Sequence, residues 1–413
     1  EIPGALVDAV VIADPSDHMQ TYNTAYSATF TGRYRAPAEA ADMMVLDARK
    51  VIARRAAFEL PVNGVVNLGI GMPEGGAAVA GEEKLLDHLT LTAEPGVIGG
   101  QPASGLDFGA AVNTDAVIAQ NQQFDFYDGG GLDLAILGMA EIDAQGSVNV
   151  SKFGPRLAGA GGFINISQNA RRLVFTGTFT SVASDIHVHE AGIDIRSEGR
   201  VRKFVEAVEH VTFSGPRAAR LAQPVLYITE RAVFRLRSDG LELIEIAPGV
   251  DLDRDILDQM AFTPIIEDVA QMDGRIFRDE PMALDVDLLA LDLDTRIVYD
   301  ADSGRLFINL EKLRLRTQAD IDRLVGQVHV VCGPLPDKVD AIVNYDGTVI
   351  YPEIEAAYAE AVRGLEDRYY RTTTRYSASA FMRLKLGKVI DRTSGAHVFE
   401  SVEEARAYLT RGS

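Results

Sequence analysis

The chain has a single cysteine, Cys332, and no tryptophan. One cysteine excludes an internal disulfide and any metal site built from several thiolates. Basic residues are scarce beside acids: 40 Lys and Arg against 60 Asp and Glu give a net charge of −20. Neutralising phosphates takes clustered Lys and Arg, so the balance argues against nucleic acid as the main partner. No apolar run approaches the ~20 residues that a membrane helix needs. The front, Glu1-Ile2-Pro3-Gly4, has neither an initiator Met nor a basic-then-apolar leader, and it reads as a chain cut at its start. An acidic protein of the cytoplasm is the expectation.

What is present fits a globular chain. Of 413 residues, 47% are hydrophobic and 24% charged. At roughly 100–200 residues per domain, two or three domains follow. Residues 1–36 form a turn-rich lead segment with a short apolar run at 5–12. Residues 38–59 predict one long helix, with Met43, Met44, Val51, Ile52 and Ala56 near helical spacing and Pro61 ending it.

Short apolar runs then alternate with helical stretches. Four of them, at 65–68, 89–92, 132–137 and 172–176, predict strands, and each runs into glycine-bearing turns. This pattern predicts an α/β fold, a mostly parallel sheet with flanking helices. In such sheets ligands bind beyond the carboxyl ends of the strands. Residues 203–213 and 225–235 predict further strands by alternation. A domain boundary is expected near 284, dividing 1–283 from a small α/β domain at 284–413. In that tail, strands are expected at 297–299 and 328–332, and helices at 318–325, 352–365 and 402–409.

Three turns carry candidate chemistry. The first is Gly69-Ile70-Gly71-Met72-Pro73-Glu74. The dinucleotide pattern would want glycine where Glu74 stands, and a carboxylate there repels pyrophosphate. A tight strand-to-helix turn is the bland alternative. The second is Glu94, directly after a strand and before Pro95-Gly96, with Gly99 and Gly100 close behind. Most glutamates at strand ends are solvated loop residues. Here the neighbours Ala93, Val97 and Ile98 offer no neutralising charge, and the glycines leave room for a substrate. A carboxylate so placed can attack a thioester to give an acyl anhydride. The third is Gly159-Ala160-Gly161-Gly162, whose backbone N–H groups can form an anion nest, or simply a flexible loop.

Other clusters are weaker. His187 and His189 share one face of a strand, but no third ligand follows at useful spacing, and no metal site is expected. Lys152 and Arg156 precede the third turn and suit either phosphate or plain solvent.

Taken together and in order, these pieces resemble the family I CoA-transferases. The resemblance runs through Asn67-Leu68-Gly69-Ile70-Gly71, Glu94-Pro95-Gly96, Gly129-Gly130-Gly131-Leu132-Asp133-Leu134, Gly159-Ala160-Gly161-Gly162 and Ile228-Thr229-Glu230-Arg231. It covers about residues 1–283 and lies nearest the single-chain acetoacetate and propionate branch. It implies the fold shared by those enzymes and certain sugar-phosphate isomerases. It implies Glu94 as the covalent nucleophile, Gly162 as an oxyanion donor, Asn67 beside the reacting centre, and Gly69 and Gly71 on the CoA side. Gly99, Gly100 and Gly161 complete the expected substrate surface. Coenzyme A enters as substrate, with no permanent cofactor, and short-chain carboxylates as its acyl partners. Homo-oligomers and a preceding α/β domain that completes the site are also implied. Pro95 departs from relatives with asparagine there and removes one backbone donor. Residues 284–413 lie outside the resemblance and look somewhat like a small STAS-type module. Rival readings are an acyl-CoA hydrolase, a non-catalytic sensor and a sugar-phosphate isomerase.

Overall fold

The computed structural model describes residues 2–36, 43–289, 291–301, 303–378, 398–401 and 403–405. The apolar runs become strands β1 Val65–Leu68, β2 Thr90–Ala93, β3 Val97–Ile98, β4 Ala116–Val117, β5 Leu134–Gly138 and β6 Arg172–Thr176. They are followed by β7 Val225–Ile228, β8 Ala232–Arg237, β9 Gly240–Ile246 and β10 Ile265–Gln271. All ten join one sheet in the order β10-β9-β8-β7-β6-β5-β1-β2-β3-β4. The five central strands, β2, β1, β5, β6 and β7, are parallel. Their carboxyl ends therefore share one edge, where Ala93, Leu68, Gly138, Thr176 and Ile228 stand.

Both faces are covered, which explains why these strands read as continuous apolar runs. Side chains alternate along each strand. Leu134, Ile136 and Val174 pack with Val66 and Leu68 against helices α1 Ala48–Ala57 and α2 Gly75–Glu82. Ala135, Leu137, Leu173 and Phe175 pack on the opposite side against α3 Gln120–Asp128 and α4 Phe163–Asn169. The architecture is the α/β sheet with flanking helices that the sequence predicts.

Local differences have physical causes. The helix expected over 38–59 begins only at Ala48. Asp47 caps it by accepting from the Lys50 amide at 3.0 Å, and Met43–Val45 are not helical. Residues 37–42 lie outside the described residues. No strand spans 203–213 among the described residues: Phe204 and Phe213 make single bridges to Ile142 and Val148. Their alternation reflects two buried rings dropped into the core from irregular backbone. The run 225–235 splits into β7 and β8, because the Thr229 hydroxyl accepts from the Arg231 and Ala232 amides and turns the chain.

The chain divides into two compact units, 1–289 and 290–413. In the second, strands β11 Ile297–Asp300, β12 Arg305–Asn309, β13 Val339–Asn344, β14 Tyr370–Tyr376 and β15 Val398–Phe399 lie side by side in chain order. Helices α5 Gln318–Cys332 and α6 Glu355–Tyr369 pack on them. The expected strand at 328–332 is instead the end of α5, where Val328 and Cys332, one turn apart, both face the core. The helix expected at 402–409 falls largely outside the described residues. A reciprocal cap starts α5: Thr317 Oγ1 accepts from the Asp320 amide, and the Asp320 carboxylate accepts from the Thr317 amide. Thr317→Ala should cost about 1 kcal/mol, read as faster amide exchange through the first turns of α5. No helix of the described residues is long and apolar enough to cross a membrane.

Candidate active site

β2 ends at Ala93, so Glu94 emerges at the carboxyl edge of the parallel sheet. The turn Glu94-Pro95-Gly96 leads back into antiparallel β3. Gly96 is the pinch point. Its φ is +118°, and a methyl group there would collide with the Ile118 carbonyl. The turn is thus held tight against the chain that returns through β4.

The Glu94 side chain is half-buried and makes no hydrogen bond or ion pair among the described residues. Burial raises its carboxyl above the ordinary glutamate range. Gly162, which precedes α4, abuts this carboxylate. A methyl group on Gly162 would stand 2.7 Å from Glu94 Oε2 and 2.5 Å from Phe124 Cζ. Two residues 68 positions apart in the sequence are thereby brought to one point. The Gly162 amide donates to no acceptor among the described residues.

Below Glu94 lies a buried polar network. Asn67 on β1, opposite Thr92 on β2 in the ladder, donates to the Tyr127 hydroxyl at 3.1 Å. Gln123 donates to the same oxygen at 2.8 Å. Tyr127 donates onward to Thr92 Oγ1 at 3.0 Å, and Thr92 to the Val66 carbonyl at 3.1 Å. All four side chains are fully buried. Burial, with the nearby Glu94 charge, raises the Tyr127 phenol, so it stays a neutral donor. Two amide oxygens, Asn67 Oδ1 and Gln123 Oε1, find no donor among the described residues, a cost of roughly 1–3 kcal/mol apiece.

The other expected site residues are placed as follows. Gly69 donates to the Ile136 carbonyl at 2.9 Å, in the turn after β1. Gly71 has φ +86° and open space on its α-carbon. Gly161 has φ +53° and equally open space. The space beside Gly99 is taken by the Asp115 carboxylate, and that beside Gly100 by the backbone of Val112 and Asn113. At both glycines the chain passes close to its own later segment. Lys152 pairs with Glu209 at 3.5 Å, and Arg156 is exposed. His187 and His189 stand with ring centres 5.9 Å apart on a hairpin. No group of three metal-ligating side chains occurs among the described residues.

Sequence reasoning missed Thr92, Gln123, Phe124 and Tyr127. The available signal is in α3, where Gln123 and Tyr127 are one turn apart and Phe124 sits beside them.

No protein-family model matches the chain. It is 46% identical over 292 residues to a caffeate CoA-transferase of Acetobacterium woodii, covering 69% of this chain and 56% of that protein. It is 46% identical over 283 residues to the acetate CoA-transferase YdiF of Escherichia coli K12, covering 68% of this chain and 53% of that protein. Among solved structures, it resembles E. coli O157:H7 YdiF crystallised as a thioester complex with CoA. The TM-score is 0.58 at 43% identity, over 68% of this chain and 52% of that chain. The chain therefore spans about half the length of the relatives it matches. Through the two thirds of its own length that these matches cover, the chain belongs to the family I CoA-transferases.

Proposed function

We propose that the chain serves an enzyme that moves CoA from a short-chain acyl-CoA to a second carboxylic acid, through a covalent thioester on Glu94. The carrying observation is the Glu94 carboxylate: half-buried, unpaired among the described residues, at the carboxyl edge of the sheet and against Gly162. Family membership and a relative crystallised as a thioester complex with CoA support the same reading.

The steps balance without a redox or metal partner. A Glu94 oxygen attacks the acyl-CoA carbonyl, and the tetrahedral oxyanion is met by the free amide of Gly162. The C–S bond breaks and CoA thiolate leaves, giving a mixed anhydride. The thiolate then attacks Glu94 Cδ and expels the donor acid as carboxylate. The acceptor carboxylate attacks the glutamyl thioester, and thiolate released from it attacks the acceptor's acyl carbon. New acyl-CoA departs and Glu94 is regenerated. A carboxylate is a weak nucleophile when fully hydrated, so partial dehydration raises its reactivity. Contacts to the distant CoA nucleotide can supply the energy for that strain.

A ping-pong route predicts exchange of labelled acid into its own acyl-CoA with no second acid present. Transfer without such exchange would contradict the covalent route. CoA released to water at the same rate with or without acid would indicate a hydrolase instead. Gly162→Ala keeps an acceptable backbone, since φ is −78°, but pushes Phe124 and the carboxylate. It should slow exchange about 100-fold, with circular dichroism unchanged.

A further inference from the structure

A carboxylate nucleophile needs a fixed position and little water, and Glu94 has no bonds of its own to secure either. Both are available from α3. The Gln123 amide lies 3.4 Å from the Ala93 carbonyl and 3.4 Å from the Val97 carbonyl. These two carbonyls bracket the turn that carries Glu94, so one side chain staples it from both ends. The same amide reaches Tyr127, and Tyr127 reaches Thr92, two residues before Glu94. The chain of donors ends on the β1 backbone at Val66. The turn is thereby tied to the strand beneath it, and no exposed group takes part.

Phe124 supplies the second requirement. Its ring stands against Gly162, in the space that a methyl group would share with Glu94 Oε2. It packs edge-on against Tyr127, with centroids 5.6 Å apart and planes at 72°. An apolar ring wedged there removes water from one side of the carboxylate, in keeping with its raised proton affinity.

We infer that α3 is the positioning element of the nucleophile: Gln123 and Tyr127 lock the Glu94 turn, and Phe124 keeps the carboxylate short of water. This inference rests on Glu94 as the nucleophile, but its first readout does not require CoA chemistry. Carbodiimide modifies protonated carboxyls, so the pH midpoint of labelling at Glu94, quantified by peptide mass spectrometry on this chain, reports its proton affinity.

Phe124→Ala should move that midpoint down toward ordinary glutamate, and Phe124→Leu, which keeps apolar bulk, should restore it. Tyr127→Phe and Gln123→Leu should leave the midpoint in place. They should slow formation of the CoA adduct about 10- to 100-fold, at unchanged KM for acyl-CoA. A merely structural role would lower the melting temperature without this split between rate and KM. An unmoved midpoint in folded Phe124→Ala, in a chain that still forms the adduct, overturns the inference alone. So does full adduct rate in both Tyr127→Phe and Gln123→Leu. A shifted midpoint in a protein that turns over acyl-CoA yet never forms an adduct overturns the nucleophile reading, and the catalytic meaning of α3 with it.

Discussion

Glu94→Ala should abolish the covalent intermediate and lower CoA transfer by about 10³-fold or more, the scale of losing a covalent nucleophile. The fold should survive. The side chain makes no hydrogen bond or ion pair among the described residues, and burial already disfavours its charge. The sign follows from the raised pKa. A carboxyl whose folded pKa lies above its unfolded value favours folding most when protonated. In its ionised form it costs stability, and the cost is relieved as pH falls through the raised folded pKa. Removing it should therefore leave the melting temperature unchanged or slightly higher at neutral pH. Turnover lost at full or improved stability separates a nucleophile from a structural glutamate. A rate within tenfold of wild type would rule out Glu94 as the nucleophile.

The largest expected loss of stability lies on the other face of the sheet. Arg54 on α1 is fully buried. Its guanidinium donates to five backbone carbonyls of one segment: those of Arg275, Ile276, Arg278, Asp279 and Glu280. Glu83 completes the clasp by accepting from the Met282 amide at 2.7 Å and the Leu284 amide at 2.9 Å. Lys50 sits on Glu82 at 2.9 Å, with Arg54 3.9 Å from the same carboxylate. Burial lowers the proton affinity of Arg54, and the carboxylates of Glu82, Glu83, Asp279 and Glu280 offset this. Arg54→Met removes every donor at once and should cost about 3–5 kcal/mol, read as a lower urea midpoint. Glu94 borders the α3 and α4 face, so the protein that remains folded should form the adduct at the wild-type rate. An unchanged urea midpoint would show the clasp to be dispensable.

The difference between these two sites shows what a sequence can reveal. Glu94 is legible because its setting is contiguous: an apolar strand, a carboxylate, then Pro95 and Gly96. Gly162 is legible as part of a glycine turn, but its meeting with Glu94 depends on where α4 starts against β2, which no local pattern states. The α3 residues were hidden. Phe124, Phe126 and Tyr127 point around the helix, and Phe126 is exposed while Tyr127 is buried. Aromatic content alone could not say which face of α3 met the strand end. Arg54 was hidden for a different reason. It binds carbonyls more than 220 residues away, and every residue offers a carbonyl. The strand expected over 203–213 failed because two buried phenylalanines, Phe204 and Phe213, imitate alternation without a ladder. The sheet itself was legible, since four apolar runs of strand length ending in small residues have few other solutions.

The most direct measurement is peptide mapping after the chain is incubated with acyl-CoA and quenched with hydroxylamine. A glutamyl thioester or anhydride becomes a hydroxamate on the residue that carried it. The proposed route predicts a single modified peptide with the hydroxamate on Glu94, absent when acyl-CoA is omitted. Modification at another residue, or CoA transfer with Glu94 unmodified throughout, would contradict it.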